Sequence, residues 1–132
     1  MTKTFKPTES ELDILSILWE KQSATVREVH EIIQQTKGVG YTTTLKLMQI
    51  MHEKGLVSRD ESSKTHIYIP SFDKEKAQEQ YVGKMIKTLF SGSTSQLVMQ
   101  ALGNHKASQE DLTEIKQLIA TLEKKNNYNL HF

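Results

Sequence analysis

Between Tyr41 and Pro70 the chain passes from a helical segment through a glycine into a hairpin, and few folds accept that order. Three threonines, Thr42, Thr43 and Thr44, open a segment that continues from Leu45 to Lys54. Gly55 should end it, because glycine reaches the left-handed position that closes a helix at least cost. Leu56 to Arg59 and Thr65 to Ile69 are β-prone, and Asp60 to Lys64 between them is turn-prone. That pattern predicts a hairpin with a loop of several residues and a basic tip. Helix, glycine and hairpin together form the second half of a winged helix-turn-helix.

The preceding residues supply the first half. Thr8-Glu9-Ser10-Glu11 and Thr25-Val26-Arg27-Glu28 both have the spacing of a capping box, with a hydroxyl at the cap and a carboxylate three residues on. The first box opens a helix with Leu12, Leu15, Leu18 and Trp19 on one face. The second opens a helix with Val26, Val29, Ile32 and Ile33 inward, and Gly38 and Gly40 break the chain before the third. A mainly α fold is expected, an N-terminal winged helix-turn-helix of three helices plus a small β-wing followed by a helical region.

Several motifs resemble the penicillinase repressor family, which includes methicillin-resistance and copper-transport repressors. They are Thr8-Glu9-Ser10-Glu11-Leu12, Ile17-Leu18-Trp19, Thr25-Val26-Arg27-Glu28-Val29, Tyr41-Thr42-Thr43 and Glu53-Lys54-Gly55-Leu56-Val57. The similarity is densest over residues 7 to 70 and continues more loosely through the C-terminal half. It implies a dimeric bacterial repressor, with the winged helix on double-stranded operator DNA and the C-terminal helices making the dimer. Copper-responsive members carry paired C-terminal cysteines, a device closed to this chain, which has none.

Composition bounds this reading. Without cysteine there is no disulfide, zinc ribbon or thiol sensor. No segment approaches the roughly 18 consecutive apolar residues that span a bilayer. The start, Met1 to Pro7, lacks an apolar signal core, so a cytoplasmic protein is expected. The five histidines (His30, His52, His66, His105, His131) show no metal-ligand spacing and read as surface residues. No metal site, cofactor or catalytic cluster is implied, and an enzyme is not expected.

Charge runs against the DNA reading. Residues 1 to 72 hold nine Lys/Arg and nine Asp/Glu, whereas nucleic-acid binding normally leaves a basic footprint. Locally the balance tips: Lys37, Lys46, Lys54, Arg59 and Lys64 face only Glu53, Asp60 and Glu61 between Lys37 and Ile69. On the third helix Leu47, Met48 and Met51 have core spacing, and Thr42, Thr43, Lys46, Gln49 and Glu53 lie opposite. That face is either solvated or DNA-reading. Short hydroxyls at a helix N-terminus favour the latter, since they allow phosphates to approach the backbone N–H groups. Lys46 suits guanine edges and Gln49 adenine edges in the major groove. The candidate DNA contacts are therefore Arg27, Thr42, Thr43, Thr44, Lys46, Gln49, Lys54, Arg59, Lys64 and Thr65. For Arg27 the alternative is a surface pair with Glu31, and for His66 a solvated turn stands equally beside DNA contact. Family wings lie along the DNA backbone, which supports Lys64. Family members commonly have arginine where this chain has Ile50.

From Asp73 onward the pattern is helical. Ala77, Tyr81, Val82, Met85, Ile86, Leu89 and Phe90 recur up to a break at Ser91-Gly92-Ser93. A short segment follows with Leu97, Val98, Ala101 and Leu102, stopped by Gly103, and Ser108-Gln109-Glu110-Asp111 then caps a last helix. Helices of about sixty residues bury too little alone, and a second copy is the economical partner. Dimerisation is assigned to Tyr81, Met85, Leu89, Leu97, Val98, Leu112, Ile115, Leu118, Ile119 and Leu122. The domains expected are a winged helix over 1–72, a dimerisation region over 73–125 and a frayed tail over 126–132, in which Leu130 and Phe132 are available to pack.

The function these readings support is a homodimeric, sequence-specific repressor on a pseudo-palindromic operator. In the family, repression is often of β-lactam resistance, and a membrane sensor-protease system relieves it by cleavage at an Asn-Phe bond. The corresponding bond here is Gln100-Ala101, where a methyl replaces the large aromatic. A winged-helix protein-interaction module and a ligand-sensing regulator are the alternative classes.

Overall fold

In the computed structural model, which describes residues 6–129, α1 (Glu9–Lys21), α2 (Val26–Ile33) and α3 (Tyr41–Lys54) precede an antiparallel hairpin of β1 (Val57–Asp60) and β2 (Ile67–Pro70). Then come α4 (Lys74–Thr88), α5 (Thr94–Asn104) and α6 (Gln109–Asn129). This is a winged helix followed by helices. Both boxes form as spaced. Thr8 Oγ1 accepts from Glu11 N at 3.2 Å while Glu11 Oε1 accepts from Thr8 N at 2.9 Å. Thr25 and Glu28 repeat the exchange at the same two distances. Each satisfies donors that a bare helix end leaves open, which stabilises by about 1 kcal/mol. The hydrogen bonds from Thr25 also hold the Glu28 carboxyl below the usual glutamate range.

Packing fixes the three helices on the hairpin. Ile14, Leu15 and Leu18 of α1, Val29 of α2, and Met48 and Met51 of α3 are sealed from solvent, with Leu56, Val57 and Tyr68 from the hairpin region. Ile14 belongs to this core where the sequence pointed to Leu12 and Trp19, which are only partly buried. Ile32, expected inward, is 37% exposed. Leu47 is also only partly buried, and Thr44 takes the inward place one turn before Met48. Gly55 closes α3 in the left-handed region at φ 82°, as its position required.

The wing is anchored where the sequence shows nothing. Tyr68 N donates to Ala24 O at 2.8 Å and Ala24 N donates to Tyr68 O at 3.0 Å, so the link between α1 and α2 pairs with β2 through a single antiparallel bridge. Trp19 Nε1 donates to Phe72 O at 2.7 Å, tying α1 to the segment after the hairpin.

The chain divides into two compact units, one ending at Tyr81 and the other beginning at Val82. The sequence reading ended the first unit at 72, but its packing continues. Ala77 is 3% exposed in the core, and the Tyr81 hydroxyl donates to Pro7 O at 3.1 Å. Tyr81, assigned to dimerisation, thus holds the start of α1. In the second unit Ser91 and Gly92 make the break after α4 with positive φ, and Ser93 caps α5. Gly103 lies inside α5, which ends at Asn104. Ser108 and Asp111 cap α6 reciprocally, and α6 runs through Asn129, past the point where fraying was expected. Leu130 and Phe132 lie outside the described residues. Among the described residues no helix is long and apolar enough to cross a membrane.

Candidate nucleic-acid interface

Three faces of α3 have separate jobs. Thr44, Met48 and Met51 face the core. Tyr41, Leu45 and Gln49, four residues apart, look into a groove of about 750 Å³. Thr42, Thr43, Lys46 and Glu53 stand in solvent with Gln49. Gly40 caps the helix without a side-chain hydrogen bond, so no side chain competes for the first-turn N–H groups.

The groove brings together residues far apart in sequence: Thr25, Val26 and Arg27 at the start of α2, the α3 row, and Arg59, Lys64, Thr65, His66 and Tyr68 of the wing. Among the described residues three permanent cations line it and no carboxylate does. This resolves part of the charge problem, because four carboxylates of the first unit are engaged elsewhere. Glu11, 2% exposed, accepts from Lys54 Nζ at 2.7 Å; Asp13 pairs with Lys37; Glu28 completes a cap; Asp60 accepts from Ser62 N. The Ser62 N–H holds the Asp60 carboxyl below its usual range. A net charge of zero therefore coexists with a positive concavity.

The two arginines are held in place. The Arg27 guanidinium lies over the Tyr41 ring, 5.1 Å from its centroid, instead of pairing with Glu31. Tyr41 in turn meets His30 edge-on, with ring centroids 5.6 Å apart. Arg59 Nη1 donates to the Tyr68 hydroxyl at 3.4 Å and Nε donates to Glu61 Oε2 at 2.9 Å. Both partners favour the charged guanidinium.

Of the sequence-derived candidates, Arg27, Gln49, Arg59, Lys64 and Thr65 come together around the groove. Thr42, Thr43 and Lys46 stand on the exposed face beside it. Two others have partners within the protein. Thr44 is 1% exposed and its Oγ1 lies 3.0 Å from His30 Nδ1. Lys54 closes the far end of α3 onto Glu11. His30, read as a surface residue, is 8% exposed. Its place between Val26 and Ile33 on the apolar face of α2 was the available signal.

Comparison with known proteins places this arrangement. The penicillinase repressor family model matches residues 7–121. The chain is 22% identical to a penicillinase repressor of Staphylococcus aureus over 116 residues, covering 88% of this chain and 92% of that one. It is 25% identical over 126 residues to the transcriptional regulator BlaI of Mycobacterium tuberculosis, covering 93% and 89%. Methicillin resistance regulatory protein MecI of Staphylococcus aureus strain N315 is 21% identical over 117 residues, covering 89% and 95%. Among solved structures, the DNA-binding domain of the repressor BlaI superposes with a TM-score of 0.50 at 20% identity, covering 56% of this chain and 90% of that domain. That likeness supports the winged-helix fold. With the match running from the first capping box into the last helix, this chain belongs to the penicillinase repressor family.

Proposed function

We propose that the protein is a cytoplasmic, homodimeric transcriptional repressor that grips operator DNA with α3 in the major groove and the wing along the backbone. The observation that carries this reading is the groove beside α3, with Arg27, Arg59 and Lys64 in it and no carboxylate lining it. Phosphates fit that lining. Gln49 in the groove and Lys46 on the exposed face beside it have the donors and acceptors that base edges require. The dimer is supported by the second unit: none of its described residues is buried, and Leu89 is 72%, Leu118 58% and Leu122 50% exposed. Apolar helix faces without a core are stable only against a partner.

Salt dependence tests the reading. Each phosphate contact contributes a slope of about −0.9 to log K against log salt. Three cations per subunit in a dimer predict about −5 for promoter DNA flanking the gene. Binding that ignores salt would favour a protein-interaction module instead.

Names of relatives, a penicillinase repressor and a methicillin resistance regulatory protein, support target genes of β-lactam resistance, and the family resemblance adds a membrane sensor-protease as partner. In that scheme cleavage falls near Gln100-Ala101, both exposed in α5. Ala101 offers a protease only a methyl, so a pocket built for Phe does not suit it. Induction then runs either through a protease of altered specificity acting near Gln100 or through another signal, and in mass spectrometry of the repressor from cells exposed to a β-lactam, fragments ending near Gln100 would support cleavage. An intact chain with derepressed targets would exclude proteolytic induction.

A further inference from the structure

One groove cation is already occupied. Among the described residues, Arg27 and Lys64 have no carboxylate within ion-pair distance, whereas Arg59 Nε donates to Glu61 Oε2 at 2.9 Å. Arg59 has two partners of different character. Tyr68 in β2 is 2% exposed and pinned by backbone bonds to Ala24, so it is a fixed support. Glu61, with 51% of its side chain exposed, sits in the wing loop, where solvent accepts it at little cost.

We infer that Glu61 is a built-in competitor for the DNA backbone, occupying Arg59 in the free protein and yielding it to a phosphate on binding. This deepens the DNA-binding reading and rests on it. A phosphate takes a guanidinium through two parallel N–H bonds, and the carboxylate on Nε holds one of those donors and cancels its charge. Arg59 keeps the Glu61 carboxyl below the usual glutamate range, so the competitor is ionised wherever the protein works. The exchange leaves Arg59 on Tyr68, already aimed at the groove, while Glu61 turns to solvent. No base contact is involved. Glu61 therefore lowers affinity for every duplex by the same factor and leaves the choice of sequence to α3, so that tight binding depends on the base contacts.

The test uses Glu61→Gln and Glu61→Ala in the full chain, with Arg59→Gln and the Arg59→Gln/Glu61→Gln double variant. Glutamine preserves an acceptor for Nε without the charge; alanine removes both. The probes are promoter DNA flanking the gene and a random-sequence duplex, titrated between about 50 and 200 mM salt. Both Glu61 variants are expected to bind either duplex about two- to fivefold more tightly per engaged subunit. Their salt slope should stay close to the parent's, because Arg59 reaches a phosphate in both complexes, and the ratio between the two duplexes should not change. In the Arg59→Gln background the substitution should have little further effect. A Glu61→Gln protein that binds like the parent, or a Glu61→Ala protein that binds more weakly, overturns the inference while the DNA-binding reading survives through the parent's own binding. A parent that binds neither duplex overturns both.

Discussion

Cutting the chain after Tyr81 is expected to leave a folded monomer whose affinity for its operator falls by roughly 10²–10⁴-fold. The first unit carries its own core from Ile14 to Ala77 and secures its last turn through the Tyr81 hydroxyl on Pro7. A cut at 72 would discard both Ala77 and that hydrogen bond. What the cut at Tyr81 removes are helices in which none of the described side chains is buried. If those helices pair two copies, one half-site contact raises the effective concentration of the other arm, and losing the pairing loses that gain without touching a single DNA contact. The same result is expected in the intact chain from Leu118→Glu together with Ile119→Glu, since charges on an apolar interface disfavour association. Sedimentation gives the mass and fluorescence anisotropy the affinity. Undiminished affinity in a truncated monomer would remove the second unit from DNA binding altogether.

How much of this could be read in the sequence depended on how local the signal was. The capping boxes at Thr8 and Thr25, the left-handed Gly55 and the turn-rich Asp60 to Lys64 are decided within a few residues, and each formed as spaced. The pairing of Ala24 with Tyr68 joins segments with no shared pattern; it is a single bridge without periodicity. The groove follows from it, because that bridge brings Thr25 to Arg27 beside Arg59 to Tyr68. Residue type misled where a polar side chain took an inward position. Thr44 has the composition of a phosphate contact but sits one turn from Met48, and its hydroxyl is satisfied by His30. Lys54 was counted toward DNA because it is a cation near the wing. Glu11 takes it as a partner while 40% of the lysine side chain stays exposed, and nothing in the spacing of residues 11 and 54 announces that pair. The expected boundary at 72 puts Ala77 in the helical region assigned to dimerisation. The core of the first unit uses only the beginning of α4.

The claim that α3 reads DNA bases is tested most directly by changing its exposed face alone. Lys46 and Gln49 are solvent-facing and Met48 between them is sealed in the core, so side chains one or two positions apart separate reading from folding. Lys46→Ala and Gln49→Ala are each expected to weaken operator binding by about 1–3 kcal/mol, the discrimination of one good base contact. Binding to random-sequence DNA should fall far less, because phosphate contacts through Arg27, Arg59 and Lys64 remain. Thermal unfolding and dimer mass should match the parent, since exposed helix positions away from caps and core change stability little. The measurement is anisotropy on both duplexes for the Lys46→Ala/Gln49→Ala double variant. The account predicts a collapsed preference for the operator with random-sequence affinity largely kept. A double variant that still selects the operator as the parent does would contradict it.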